Sequence, residues 1–241
     1  MSEDRRAHAR RLARQAVDAG QPLAWFERLY ADAEAGRGVV PWADLGPNPN
    51  LLAWAAARRL SGGGRPALVV GCGLGDDAEA LAALGFAVVA FDVAPTAVRR
   101  CVERHPATTV EYVVADLLDP PAGWSGRFDL VFEANTLQVL PPGDLRRRAA
   151  AVLPTLVAPG GTLLVIARAR EESDPVGDMP WPLTAADVLA CAGGRLALEA
   201  LEDFLDDESP PVRRYRATFT ARPDPRPPGR AAGSGPTSPR A

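Results

Sequence analysis

The feature that most constrains the fold is the alternation of short apolar runs with segments of helical spacing. The apolar runs are rich in Val, Leu, Ala and Phe, which is typical of strands buried on both faces of a parallel sheet. In the segments between most of them, apolar residues recur every three or four positions. The predicted strands are 67–70, 87–91, 110–115, 128–132 and 162–167, and the predicted helices are 76–84, 95–104 and 144–157. The sequence therefore predicts an α/β fold.

Two more strands are expected near the C-terminus. Residues 195–204 and 212–220 have strand-like composition and are joined by an acidic, proline-containing turn, while Thr184 begins a short helix with a capping pattern. We place the two strands as an antiparallel pair at one sheet edge. The full prediction is a Rossmann-like, seven-stranded, mostly parallel sheet with helices on both faces and a C-terminal antiparallel hairpin.

The chain divides by composition into three parts. Residues 1–24 form a predicted N-terminal helical extension, which either docks as a lid or stays loosely attached. Residues 25–221 form the predicted main domain. Residues 222–241 contain six prolines and almost no apolar side chains, so we expect this tail to be disordered.

Several kinds of chemistry are excluded by residue types that are missing or badly spaced. All 27 basic residues are arginine, which removes Schiff-base catalysis and the phosphate-binding lysine of a P-loop. The only histidines are His8 and His105, and the three cysteines, Cys72, Cys101 and Cys191, have no C-x-x-C spacing. Neither a structural zinc site nor a disulfide framework is expected.

The distribution of charge bears on partners and location. The two ends of the chain are basic, so residues 15–221 carry a net charge of −9 out of a total of −3. An acidic body disfavours a nucleic-acid substrate. The sequence has neither an apolar run of membrane-spanning length nor a signal peptide, and we expect a cytoplasmic monomer that binds neither nucleic acid nor membrane.

The residues that follow the first three predicted strands form a candidate ligand site. In an open parallel sheet, ligands bind beyond the carboxyl ends of the strands. The first strand runs into Gly71-Cys72-Gly73-Leu74-Gly75-Asp76-Asp77, whose glycines let the backbone turn tightly and approach a ligand. The second ends at Asp92, placed to accept hydrogen bonds from both ribose hydroxyls of an adenosine, and the third at Asp116-Leu117, where a carboxylate can meet the adenine amino group.

A nicotinamide dehydrogenase is the competing interpretation of this pattern. Its fingerprint is G-x-G-x-x-G, whereas here Gly75 is followed by Asp76, whose charge at a helix start would repel a pyrophosphate. A cationic ligand without phosphate fits better.

The loop Gly71 to Gly75, Asp92, Asp116 and Pro159-Gly160-Gly161 together resemble the class I S-adenosylmethionine-dependent methyltransferases, over residues 65–220. The resemblance implies the Rossmann-like fold and S-adenosylmethionine as cofactor. A non-catalytic S-adenosylmethionine-binding protein would keep the same cofactor pocket and remains an alternative.

A narrower resemblance covers the segment before the sheet. Trp25 to Tyr30, the block Pro41 to Gly46 and Asn48 to Leu51 are similar to the aromatic entry segment and Pro-Trp-Asp-x-Gly block of the thiopurine S-methyltransferase-like group, which includes thiol and halide methyltransferases. The glycine loop also matches that group's Gly-Cys-Gly-x-Gly-x-Asp. Ala43 interrupts the Pro-Trp-Asp sequence, which puts the substrate in doubt and not the cofactor.

The chemistry of a sulfonium cofactor, together with the resemblance, predicts roles for individual residues. Glu133, at the end of the fourth strand, is expected to face the cofactor's ammonium or the substrate and is the candidate catalytic residue, with Asp44 and Asp178 as other conceivable bases. Tyr30, Met179 and Trp181 are expected to contact the substrate. The predicted cofactor-binding residues are Trp42, Gly71, Cys72, Gly73, Gly75, Asp77, Asp92, Val93, Asp116, Leu117 and Glu133.

The resemblance favours transfer of a methyl group to the sulfur of a small thiol. A thiol needs only partial ionisation near neutrality and no obligatory base, which suits a chain with two poorly placed histidines. Small-molecule O- and N-methylation remain alternatives.

Overall fold

The computed structural model describes residues 3–43 and 45–223, with side chains from Arg6 onward. The predicted tail therefore lies almost entirely outside the described residues, as does Asp44. The helices are α1 (Glu3–Asp18), α2 (Ala24–Glu34), α3 (Pro49–Ala57), α4 (Asp76–Ala83), α5 (Pro95–Arg104), α6 (Asp144–Leu156) and α7 (Ala185–Leu189). The strands are β1 (Pro66–Val70), β2 (Ala87–Asp92), β3 (Glu111–Val114), β4 (Phe128–Ala134), β5 (Val157–Arg168), β6 (Leu196–Leu205) and β7 (Arg213–Ala221).

The strands form one seven-stranded sheet in the order β3-β2-β1-β4-β5-β7-β6. The first five are parallel to one another, whereas β7 pairs antiparallel with both β5 and β6. The predicted fold, including the C-terminal antiparallel hairpin, is confirmed. The parallel register places the carboxyl ends of the first five strands along one edge of the sheet, so the residues that follow them are brought together.

Strand β5 differs most from its prediction. It begins at Val157, not at 162, so Pro159-Gly160-Gly161 lies within the strand and not in a separate turn before it. The register between β4 and β5 shifts here, and Gly160 has a φ of 75°. The segment is therefore an irregular start of the strand, which turns at Gly160 and resumes regular pairing at Thr162.

Local sequence explains where several helices begin. The Asn48 side chain accepts a hydrogen bond from the backbone N–H of Asn50 at 2.9 Å, and Pro49 follows at the first helical position of α3. Thr184 and Asp187 form a reciprocal capping box at the start of α7, as predicted. Pro154 lies inside α6, which continues to Leu156.

The two faces of the sheet contribute to two hydrophobic cores. Alternate residues of β1 point to opposite faces, so that Leu68 and Val70 join one core and Ala67 and Val69 the other. Helix α1 packs into the first core through Ala9, Leu12 and Ala13. Through these contacts helix α1 lies against the main domain.

Within residues 3–43 and 45–223, no helix combines the length and the apolar character needed to cross a membrane.

Candidate active site

A cleft lies over the carboxyl edge of the sheet and has two chemically different ends. The end beyond β1, β2 and β3, here called the acidic end, is formed by Gly71, Asp92, Val93, Asp116 and Leu117. The end beyond β5 and β7, here called the basic end, is formed by Arg6, Arg168, Met179, Glu208 and Arg214. Asn135, Thr136, Gln138 and Val139, which follow β4, lie between the two ends.

The glycine loop is shaped by close approaches that a side chain would block. Gly71 and Gly75 have φ values of 60° and 90°, which only glycine adopts without strain. A Cβ at Gly71 would lie 2.4 Å from the Thr136 hydroxyl, and one at Gly75 would lie 2.4 Å from the Tyr112 hydroxyl. The loop can therefore run close under the cleft only because these positions are glycine.

The two predicted aspartates both line the cleft, and each is held by backbone amides. Asp92 accepts hydrogen bonds from Gly73 N at 3.0 Å and from Ala94 N at 2.9 Å. Asp116 accepts one from Leu118 N at 2.8 Å. Burial raises the pKa of Asp92 to about 6, and its backbone hydrogen bonds oppose that rise. Each carboxylate oxygen has two lone pairs, so both side chains retain acceptor capacity for a ligand.

Aromatic side chains from the segment before the sheet cover the acidic end. Tyr30 and Trp42 line the cleft, and Trp42 Nε1 donates a hydrogen bond to the Tyr30 hydroxyl at 3.1 Å. Trp25 packs edge-on against Trp42, with ring centroids 5.8 Å apart, and is buried in the core. Burial, with the negative charge of Asp92, raises the pKa of Tyr30 well above its ordinary value, so Tyr30 remains a neutral phenol.

Glu133 is placed at the end of β4 as expected, but its side chain is fully buried and is not among the residues that line the cleft. Its Oε1 accepts hydrogen bonds from the backbone N–H groups of Thr136 and Leu137, at 2.7 and 2.9 Å. Its Oε2 is buried without a partner among the described residues. Burial raises the pKa of Glu133 to about 7. In this position Glu133 fixes the turn that separates the two ends of the cleft.

Four other predicted cofactor-binding residues lie behind the cleft surface: Cys72, Gly73, Gly75 and Asp77. Gly73 and Gly75 contribute through backbone shape. Asp77 accepts a hydrogen bond from Asn48 N at 2.6 Å and thereby ties α4 to the start of α3. Contact with the Cys101 thiol, together with burial, raises the pKa of Cys72 well above its ordinary value, which agrees with a packed residue and not a nucleophile.

The predicted substrate loop is divided between the cleft and its surroundings. Met179 is buried and lines the cleft, and its carbonyl accepts a hydrogen bond from Arg10 Nε at 2.8 Å. Trp181 lies outside the lining, and its backbone N–H donates to the carbonyl of Gln138 at 2.7 Å. Asp178 is exposed and lies 3.8 Å from Arg14. The segment therefore attaches helix α1 to the turn after β4.

The arginines of the basic end were not predicted to lie at the site. Arg168 is the last residue of β5, one position beyond the predicted end of that strand. Like Asp92, it therefore lies where ligands bind in an open parallel sheet, at the carboxyl end of a strand. Arg214 is brought beside it by the antiparallel register of β5 and β7, and Arg6 by the docking of α1. Asn135, with a φ of 66°, follows β4 directly.

The acidic end fits S-adenosylmethionine. Asp92 and Asp116 offer acceptors suited to ribose hydroxyls and an adenine amino group, and Phe91, Val93 and Leu117 add apolar lining. The carboxylates and the faces of Tyr30 and Trp42 suit a cation.

Comparisons with known proteins agree with this geometry. Residues 67–161 match a family model described as a methyltransferase domain. The chain is 28% identical to "Probable thiol methyltransferase 2" of Arabidopsis thaliana over 67% of this chain and 74% of that protein. It is 38% identical to a ubiquinone biosynthesis O-methyltransferase of Xanthomonas campestris, over 49% of this chain and only 48% of that protein.

Among solved structures, an N-methyltransferase of Bradyrhizobium japonicum in complex with S-adenosylhomocysteine superposes with a TM-score of 0.61, covering 83% of this chain and 97% of that one. At 21% identity this similarity shows a common fold. The prediction of a methyltransferase, made against a dehydrogenase, is confirmed. The matched residues form a methyltransferase domain, and the protein is an S-adenosylmethionine-dependent methyltransferase with S-adenosylmethionine as its methyl donor.

Proposed function

We propose that the protein methylates a small, largely apolar thiol at sulfur and belongs with the thiopurine S-methyltransferase-like group. The similarity to the protein named "Probable thiol methyltransferase 2", over two thirds of the chain, supports this assignment. The observation that carries it is the chemistry of the cleft wall. The part of the wall that the structure describes contains apolar side chains, such as Phe26, Leu140 and Met179, but no histidine.

The carboxylates of the described wall all have other partners or other tasks. Asp92 and Asp116 belong to the acidic end, and Glu208 is paired with Arg214 and lies 3.8 Å from Arg168. Glu133, the predicted catalytic residue, is sealed beneath the turn. A thiol is partly ionised near neutrality and can react without a dedicated base, whereas a phenol or an alkyl amine gains more from one. The cleft thus favours sulfur as the accepting atom.

The residues of the cleft contribute to the reaction mainly by alignment. Bound S-adenosylmethionine supplies a methyl group on a positively charged sulfur, and displacement by a thiolate yields a thioether and S-adenosylhomocysteine. In this proposal Asp92, Asp116, Gly71 and Trp42 hold the donor at the acidic end. The apolar wall excludes water and brings the acceptor into line.

Turnover of matched acceptors tests the accepting atom. Thiophenol and phenol share one ring and differ in the nucleophile, so product mass should increase by one methyl for thiophenol and little for phenol. Efficient methylation of phenol with none of thiophenol would replace the proposal by O-methylation, the alternative that the ubiquinone-pathway relative favours. The expectations of a cytoplasmic monomer that does not bind nucleic acid stay predictions.

A further inference from the structure

The charges of the basic end do not balance. Arg214 is buried, and each of its three guanidinium nitrogens has an acceptor: its Nε donates to Asp206 Oδ2 at 2.6 Å, its Nη1 to Asn135 Oδ1 at 3.2 Å, and its Nη2 to Glu208. Glu208 is therefore engaged mainly by Arg214. Little negative charge at this end is left for a second guanidinium.

Arg168 is that second guanidinium. Its side chain is 19% exposed, and its only ion pair among the described residues is with Glu208, at 3.8 Å. Its side chain donates no hydrogen bond to any described residue, although its backbone N–H donates to Gln138 Oε1 at 2.7 Å. A guanidinium carries five N–H donors, and those of Arg168, which lines the cleft and is only partly buried, are not used by any described residue.

The surroundings of Arg168 add positive potential. Residues 168 and 214 are direct partners in the β5–β7 ladder, which places the two side chains side by side on one face. Arg6 reaches the same part of the cleft from helix α1. Burial, and then the charges of Arg214 and Arg6, lower the pKa of Arg168 from its usual range. An anion at this point would relieve that repulsion and satisfy the free donors.

We propose that the basic end binds an anionic group of the methyl acceptor, a carboxylate held by Arg168 with support from Arg6, so that the substrate is an apolar thiol acid. The proposal rests on the proposed function for the nature of the accepting atom. A planar guanidinium binds a carboxylate through two parallel hydrogen bonds, which fixes orientation as well as affinity. The acceptor would then lie with its anion at the basic end and its sulfur toward the acidic end.

A matched pair of ligands isolates the anion. The ligands 3-mercaptobenzoate and its methyl ester differ in one negative charge and share the ring and the thiol. Calorimetry on the full chain saturated with S-adenosylhomocysteine should show the acid binding about tenfold or more tightly than the ester, because a charge-assisted pair is formed only with the acid. Equal affinities would overturn the proposal.

Variants locate the anion site. Arg168→Gln should remove most of the preference for the acid and leave ester binding unchanged, and Arg6→Gln should reduce the preference less. Arg147→Gln is the matched control, since it removes the same charge from a side chain that is 71% exposed on α6. A preference that survives Arg168→Gln would contradict the assignment. If that variant loses its folded circular dichroism spectrum, Arg168→Lys, which keeps the charge but not the planar fork, should still weaken acid binding.

The two proposals fail in different ways. Calorimetry decides the anion site whether or not sulfur is the accepting atom. If neither thiol is methylated but 3-hydroxybenzoate is, sulfur is rejected as the accepting atom. A strong preference for binding the acid over the ester would still support the anion site in that case. Methylation of both thiols with equal kcat/KM and equal affinity would keep sulfur and reject the anion site.

Discussion

The two ends of the cleft are assembled in different ways and carry opposite charge. At the acidic end, Asp92 and Asp116 follow their own strands directly, and backbone amides within two residues or in the adjacent glycine loop hold them. At the basic end, Arg6, Arg168 and Arg214 come from a terminal helix and two antiparallel strands more than 40 residues apart in sequence. The acidic end is thus held by the strand ends and the adjacent glycine loop, whereas the basic end depends on the packing of distant elements.

This difference has a functional consequence. A site built from strand ends of a common fold can be kept while the elements around it change, whereas a site built from a docked helix and a sheet edge changes with those elements. We expect substitutions at the acidic end to weaken binding of the methyl donor alone. Substitutions at the basic end should change the choice of acceptor and leave the affinity for the methyl donor nearly unchanged.

The largest expected effect is that of Asp92→Ala. Removal of the carboxylate takes acceptors away from the ligand and also leaves the N–H groups of Gly73 and Ala94 without their partner. Affinity for S-adenosylhomocysteine should fall by roughly 2–4 kcal/mol. Calorimetry measures the loss, with Arg168→Gln as the comparison from the basic end. Equal losses in the two variants would show that the ends are not independent.

A second prediction concerns Glu133, beneath the turn between the ends. Its pKa of about 7 lies above that of an unfolded glutamate, so the folded state binds more protons and the free energy of unfolding falls as pH rises from about 4 to 7. Glu133→Gln keeps the Oε1 acceptor for Thr136 and Leu137 and removes the buried charge. The variant should therefore be more stable at pH 8, by on the order of 2 kcal/mol.

Denaturant unfolding at pH 5 and pH 8 tests this, because the gain should be small at pH 5. The same variant decides whether Glu133 is catalytic. A side chain that only fixes the turn should leave kcat within a few-fold, whereas loss of turnover in a stable Glu133→Gln protein would restore the catalytic role predicted from the sequence. Glu133→Ala, which also removes the turn's acceptor, should be destabilised.

The third prediction is the pH dependence of donor binding. Ribose hydroxyls that donate to Asp92 favour its ionised form, so affinity should rise as pH increases through the Asp92 pKa of about 6. Between pH 5 and pH 7 the gain should be about tenfold. Asp92→Asn should bind more weakly and lose most of this dependence. A wild-type affinity that is flat across that range would mean that the ribose contacts a different group.

The contrast between the ends also explains what the sequence could predict. The strand boundaries came from continuous apolar runs, and Asp92 and Asp116 from the rule that ligands bind beyond strand ends. Arg168 obeys the same rule and was missed because the strand was ended at Ala167. Arg214 depends on the β5–β7 register and Arg6 on the docking of α1, neither of which is encoded locally.

The burial of Glu133 could not be predicted for a similar reason. Its position at the end of β4 was correct, but its side chain is buried and accepts hydrogen bonds from the backbone amides of Thr136 and Leu137, in the turn that follows the strand. Short-range patterns therefore place residues at the carboxyl edge of the sheet. They do not decide which of those residues face the cleft.

The smallest expected effect comes from the hydrogen bond in the aromatic cover of the acidic end. Trp42→Phe keeps an aromatic face but loses the donor to the Tyr30 hydroxyl, so affinity for S-adenosylhomocysteine should fall by about 1 kcal/mol. Tyr30→Phe removes the same bond from the other side, and the double variant should lose little more than either single one. Trp25→Phe is the control, because Trp25 packs behind Trp42 and is outside the cleft lining. Fully additive losses would show that the two side chains act on the methyl donor separately. A loss confined to acceptor binding would show that Tyr30 and Trp42 belong to the acceptor site and not to the donor site.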